Sequence, residues 1–163
     1  MEEAKKVRIV REFDAPVEKV WAAFSQPELV RQWWGPKDFT APSVQMDFKE
    51  GGTYLFCMRG QVAPNMPAQD FWSGGTYVEI VPNKRLVYID HFADEHGSAV
   101  SPSAYGMVGM PDDMRVSMEF ETIDGGRTRL TLVHEGAPSG EQEKDNMVVG
   151  WNQSLDKLAE SIQ

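Results

Sequence analysis

A run of apolar residues near the end of the chain limits what the rest of it can become. Met147, Trp151, Leu155, Leu158 and Ile162 recur at intervals of four, four, three and four, the repeat of one face of an α-helix. The other faces carry Glu143, Asp145, Asn152, Gln153, Asp156, Lys157 and Glu160, side chains suited to water. The pattern predicts an amphipathic helix over 141–163 that needs a surface to cover. Gly150, beside Trp151, leaves a shallow place on that helix where a strand or a ligand can approach closely. Upstream the chain offers mostly strand-like segments, so the covered surface has to be a sheet.

The chain opens with Val7 to Phe13, roughly alternating and therefore a strand. Asp14-Ala15-Pro16 ends it, and Val17, Val20, Trp21 and Phe24 follow at the spacing of a short helix. Ser25 and Glu28 have the spacing of a capping box, which predicts a second helix running to about Trp34 before Gly35 and Pro36 stop it. Strands are then expected over 43–48, 53–59, 71–81, 85–92, 114–123 and 128–134, with the last two joined at Asp124-Gly125-Gly126. The segment 94–113 has three glycines and two prolines without clear periodicity. It reads as a long loop, and its Tyr105, Met107, Val108 and Met110 suit either a gate over a cavity mouth or a passive surface loop.

Alternation assigns faces to these strands. Val116, Met118 and Phe120 lie on one side, with Arg115, Ser117, Glu119 and Glu121 on the other. One apolar and one polar face is the pattern of an antiparallel sheet with a side in water. The reading is one α+β domain over 1–163: a curved antiparallel sheet of about six to seven strands around the C-terminal helix, with two short helices after the first strand. A sheet curled around a helix leaves a cavity between them unless large side chains fill it. The inward residues expected to line that cavity are Phe56, Met58, Trp72, Tyr88, Met118, Leu132, Met147 and Trp151, with His134 on the same face as Leu132. In the Trp33-Trp34 pair, Trp33 reads as core, and Trp34 either as core or as a wall of the cavity mouth. Nine methionines in 163 residues suit an adaptable apolar surface.

Charge and chemistry narrow the function further. The formal net charge is −9, which leaves no basic stripe for nucleic acid and disfavours anionic membrane surfaces. The first residues lack the apolar core of a secretory leader, and no run reaches membrane-spanning length. The lone cysteine, Cys57, excludes an internal disulfide and fits a reducing compartment; the expected location is the cytoplasm. His91, His96 and His134 have no metal-ligand spacing. Asp90-His91 and His134-Glu135 are strand neighbours that point to opposite faces. Neither pair makes a catalytic dyad. No phosphate loop or nucleophile elbow occurs, so no catalytic residue, metal or cofactor is expected.

Three stretches carry a family resemblance: Asp14-Ala-Pro-Val-Glu-Lys-Val-Trp21, Pro27-Glu-Leu-Val-Arg-Gln-Trp-Trp-Gly-Pro36 and Gly150-Trp-Asn-Gln-Ser-Leu-Asp-Lys-Leu-Ala159. Gly51-Gly-Thr-Tyr54, Lys84-Arg-Leu-Val-Tyr88 and Thr128-Arg-Leu-Thr-Leu132 agree with them. Together they resemble the homologues of the heat-shock-protein-90 ATPase activator, within the START-like or SRPBCC superfamily. The resemblance implies the helix-grip fold shared with the birch-pollen allergen. It also implies binding of an apolar or amphipathic small molecule, with two alternatives. One is a cyclase- or hydrolase-type enzyme using His134 or Tyr88; the other is a co-chaperone-like module that binds protein. It admits a homodimer and a chaperone interaction as well. It supplies no universal catalytic motif to transfer.

Overall fold

The first strand and the second lie at opposite edges of one sheet, and the two short helices span the distance between them. In the computed structural model, which describes residues 6–107, 110–136, 138 and 140–162, the strands are β1 (Lys6–Phe13), β2 (Thr40–Met46), β3 (Thr53–Gly60), β4 (Gln69–Val81), β5 (Arg85–Ala93), β6 (Asp113–Thr122) and β7 (Thr128–Glu135). They form one antiparallel sheet in the order β1-β7-β6-β5-β4-β3-β2. From β3 to β7 each strand pairs with its predecessor through a short connection, except across 94–112; β1 closes the far edge on β7. The helices are α1 (Val17–Ser25), α2 (Pro27–Val30) and α3 (Glu141–Ser161). A curved sheet gripped against α3 is the helix-grip fold.

Three local expectations need correction. The capping box does not form: Gln26 is the N-cap of α2, no side chain caps it, and Pro27 takes the first turn, where its missing N–H costs nothing. The second helix stops at Val30 rather than near Trp34, and hydrogen-bonded turns carry the chain through Trp33 and Trp34. Strand β2 begins at Thr40, three residues early, with a register shift between Thr40 and Ser43 that accommodates Pro42 on an edge strand. The first part of the expected loop, 94–106, is also more ordered than composition suggests. Ala93 bridges Ala99, and Pro102–Tyr105 makes a 3₁₀ turn whose Ser101 side chain accepts from the Ser103 N–H.

The core lies under the second half of α3. Leu155 and Leu158 are fully buried and Ile162 is buried, packed with Val20 and Phe24 of α1, Val30 and Trp33, and inward residues of the strands. Flanking bonds pin this half. The Arg11 guanidinium on β1 donates to Asn152 O at 3.1 Å and Asn152 Oδ1 at 3.2 Å, and pairs with Asp156. Lys157 Nζ donates to Gly35 O and Phe39 O, each at 2.9 Å, and to Pro36 O at 3.3 Å. Loss of hydration lowers the Lys157 pKa against the opposing pull of Asp38. Gly35 sits at φ +101°, with Phe39 Cβ 3.1 Å from where its own Cβ would be, so the turn that presents these carbonyls needs glycine. The first half of α3, from Glu141 to Trp151, has no fully buried residue.

Candidate functional site

Where the first half of α3 stands away from the sheet, a cavity of about 630 Å³ remains. The helix contributes Glu143, Asn146, Met147, Gly150, Trp151 and Ser154. The sheet contributes Met58, Phe71, Trp72, Ser73, Asp90, Phe92, Met114 and His134. Trp34, Gly35 and Pro36 close one side; Gly106, Met107, Met110 and Pro138 close another. On β3, β5 and β6 the inward face therefore changes character along the strand. On β3, Tyr54 and Phe56 are core and Met58 is cavity; on β5, Tyr88 is core and Asp90 is cavity; on β6, Met118 is core and Met114 is cavity.

Of the residues expected at the site, Trp34, Met58, Trp72, His134, Met147 and Trp151 line this cavity, although Trp72 pairs with Cys57 and so directs its ring to the other face of the sheet. Phe56 and Tyr88 do not. They line a separate inner void of about 20 Å³ behind Trp34, among Tyr54, Tyr77 and Trp33. Met118 and Leu132 lie in the solid core, at 1% and 0% exposure. The two tryptophans divide: Trp33 is buried and its Nε1–H donates to Ala23 O at 2.8 Å, whereas Trp34 separates void from cavity, with its ring 4.8 Å from Phe56 and 6.1 Å from Trp151.

Two polar groups on the cavity wall have displaced acidities. Tyr54 Oη donates to Asp90 Oδ1 at 2.6 Å. Tyr54 on β3 pairs with Gly75 on β4, which pairs with Asp90 on β5, so the tyrosine reaches across an intervening strand. It does so because Gly75 has no side chain: a Cβ there would stand 2.7 Å from Tyr54 Oη and 2.0 Å from Ile89 O. Burial raises the Asp90 pKa to about 6, against the Tyr54 hydrogen bond and the nearby His91, which both favour the carboxylate. Gly75→Ala is expected to lower stability by about 1–3 kcal/mol through overpacking and to break the Tyr54–Asp90 bond. A urea titration reads the first effect and the Asp90 carboxyl chemical shift the second.

His134, at 4% exposure, makes no hydrogen bond through Nδ1, which is sealed from solvent. Burial lowers its pKa to about 4, so at neutral pH the ring is uncharged. Its ring stands edge-on to Trp151 with centroids 6.4 Å apart. Cys57 faces away from the cavity, and burial pushes its thiol up to about 11, the opposite of activation. Among the described residues no group of His, Cys, Asp or Glu is placed to hold a metal ion, and no helix is long and apolar enough to cross a membrane.

The loop before β6 supports the cavity wall. Tyr105 Oη donates to Ala93 O and accepts from the Trp72 N–H at 3.2 Å, while its ring packs 5.5 Å from Phe71 and 5.9 Å from Phe92. Beyond that anchor, Met107 and Met110 reach the cavity. Val108, the remaining apolar residue of the expected gate, lies outside the described residues.

Asp90 is the main residue that sequence reasoning passed over. A signal existed, since Asp90 lies two residues beyond Tyr88 and shares its face. The partnership with Tyr54 had none, because it depends on register across three strands.

Comparison with known proteins places this arrangement among relatives. A protein from Chromobacterium violaceum, known by crystal structure, is 28% identical, with 96% of each chain covered and a TM-score of 0.74. A protein from Arthrobacter aurescens, solved in solution, is 26% identical over 99% of this chain and 88% of its own, with a TM-score of 0.76. An AHSA1 protein from Silicibacter pomeroyi shares the fold at 23% identity, 95% coverage of both chains and a TM-score of 0.71. No curated protein matches the chain. The family model described as activator of Hsp90 ATPase homolog 1-like protein matches residues 14–163, from the end of β1 through α3, and the chain belongs to that family.

Proposed function

We propose that this protein binds an apolar or amphipathic small molecule between the sheet and the first half of α3. The observation that carries the reading is the cavity itself. Its volume, about 630 Å³, falls within the range of roughly 300–1,000 Å³ usual for small-molecule sites. Its walls combine tryptophan, phenylalanine and methionine with a few polar groups, the mixture that holds an apolar body and orients it. Site residues on this reading are Trp34, Met58, Trp72, Asp90, His134, Met147 and Trp151.

The co-chaperone alternative calls for a broad exposed apolar patch. Of the large exposed apolar side chains, Val10, Val78 and Val149 sit on separate elements and Val62 and Met66 share the β3–β4 loop, so the cavity is the better supported site. The enzymatic alternative through His134 or Tyr88 is weakened by their surroundings: His134 lacks an orienting partner and Tyr88 is held neutral by burial. The tyrosine–carboxylate pair of Tyr54 and Asp90 would be the place to look for proton transfer.

Gly150 provides the test. A Cβ there meets nothing within 4 Å. Gly150→Ala should therefore fit and stabilise the helix by about 0.5–1 kcal/mol, while Gly150→Phe should project into the cavity and occupy it. Native mass spectrometry of protein from its source cells should find a bound compound at stoichiometric amount in the parent and the alanine variant, and none in the phenylalanine variant. A compound retained by folded Gly150→Phe, or absent from all three, would count against the reading.

A further inference from the structure

The cavity has an electrostatic character that an ordinary apolar pocket lacks. Asp90 and Glu143 both line it, and no lysine or arginine does among the described residues. Asp90 Oδ1 takes the Tyr54 hydrogen bond, leaving Oδ2 for the interior. The ion pairs of the described residues lie elsewhere, on the sheet's polar face, the turns and the flank of α3. A carboxylate inside a mostly apolar cavity, without a cation of its own protein, is a costly arrangement that a cationic ligand relieves. Trp34 and Trp151 line the cavity with it, their rings 6.1 Å apart, and indole faces attract organic cations. The chain as a whole carries −9, which draws cations toward it.

We propose that the cavity's occupant is an organic cation: a protonated amine directed at Asp90 and carried on an aromatic or polycyclic body that packs among the tryptophans. The inference rests on the reading of the cavity as a small-molecule site, and it adds a charge class to it. His134 fits the same picture. Kept neutral by its burial, it places no positive charge against the ligand.

The titratable groups around Asp90 are Tyr54 on β3, Tyr77 on β4 and Tyr88 on β5, with His134 on β7 and Glu143 on α3 elsewhere on the cavity wall; His91 acts on it from the sheet's other face. Burial keeps the three tyrosines in their neutral form. Ionisation of Asp90 near pH 6 should then govern cation affinity in mildly acid solution.

The test uses three tricyclic probes of matched shape: an aminoacridine, protonated throughout the pH range used, neutral acridine, and an acridine carboxylate. Tryptophan quenching at neutral pH should give the cation an affinity about ten- to a hundredfold above the neutral probe, the range for a hydrogen bond to a charged group, with the anion weakest. For the unmodified protein, cation affinity should fall about tenfold per pH unit below the Asp90 pKa. Asp90→Asn should bring the cation down to the level of the neutral probe, and the pH titration of the parent protein stands if that variant does not fold. Equal affinity for cation and neutral probe would overturn the charge assignment while leaving a small-molecule site intact. Failure of all three probes to bind, or binding undiminished in Gly150→Phe, would overturn both.

Discussion

Trp33→Ala should cost about 3–5 kcal/mol, the range for emptying a fully buried aromatic site, and its neighbour Trp34→Ala clearly less. Trp33 is 1% exposed, its ring packs edge-on against Phe24 at 4.9 Å, and its indole N–H satisfies Ala23 O inside the core. Truncation leaves a cavity that close-packed neighbours fill poorly and a buried carbonyl without its donor. For a chain of this size the thermal midpoint should drop by roughly 10 °C. Trp34 is half-buried, with one side on the cavity, so its loss exposes less that was previously dry. Its truncation should instead join the inner void to the cavity and weaken ligand binding. Thermal melts of both variants, with probe titration of the second, separate the roles; equal loss of stability in the two would refute this division.

That two adjacent tryptophans differ so much explains what the sequence could and could not convey. Periodicity placed α3 and the inward parity of the strands, because helix and strand repeats are properties of a few neighbouring residues. Parity says which way a side chain points, not how far along the strand the core ends. Phe56 and Met58 share a face, as do Tyr88 and Asp90, yet in each pair the first is core and the second meets the cavity. The boundary is set by how α3 is held: Arg11 and Lys157 clasp its second half, and among the described residues nothing comparable holds the first. Those bonds join residues more than a hundred positions apart. A local pattern carries no trace of them. Gly75 illustrates the same limit, since its lack of a side chain makes sense only once Tyr54 lies over it toward Asp90. The capping-box motif failed for the opposite reason. Ser25 and Glu28 had the right spacing, but α1 runs on through Ser25 and Pro27 starts the next helix one step later.

The stability of the protein between about pH 4 and 6 should be nearly flat with respect to its two cavity-wall titrations, and single substitutions should reveal why. Asp90, with its pKa raised from 3.8 to about 6, holds a proton in the folded state that the unfolded chain has released. Its contribution is present below the unfolded value and is lost as pH rises through about 6. His134, with its pKa lowered from 6.5 to about 4, has released in the folded state a proton that the unfolded chain holds. Its contribution is present above the unfolded value and is lost as pH falls through about 4. Within the shared window the folded protein has one extra proton at Asp90 and one fewer at His134, so the two slopes cancel. Each alone is worth at most about 1.4 kcal/mol per pH unit, less where cavity water screens Asp90. His134→Gln should therefore lose stability as pH rises from 4 to 6, by about 1–3 kcal/mol in total, and Asp90→Asn should gain by a similar amount over the same interval. Urea unfolding at stepped pH measures both. Parallel pH profiles for the two variants would show that these groups are not the opposed pair that burial makes of them. A bound organic cation should tilt the parent's profile in the direction of Asp90→Asn, because it stabilises the ionised carboxylate and removes the extra folded-state proton.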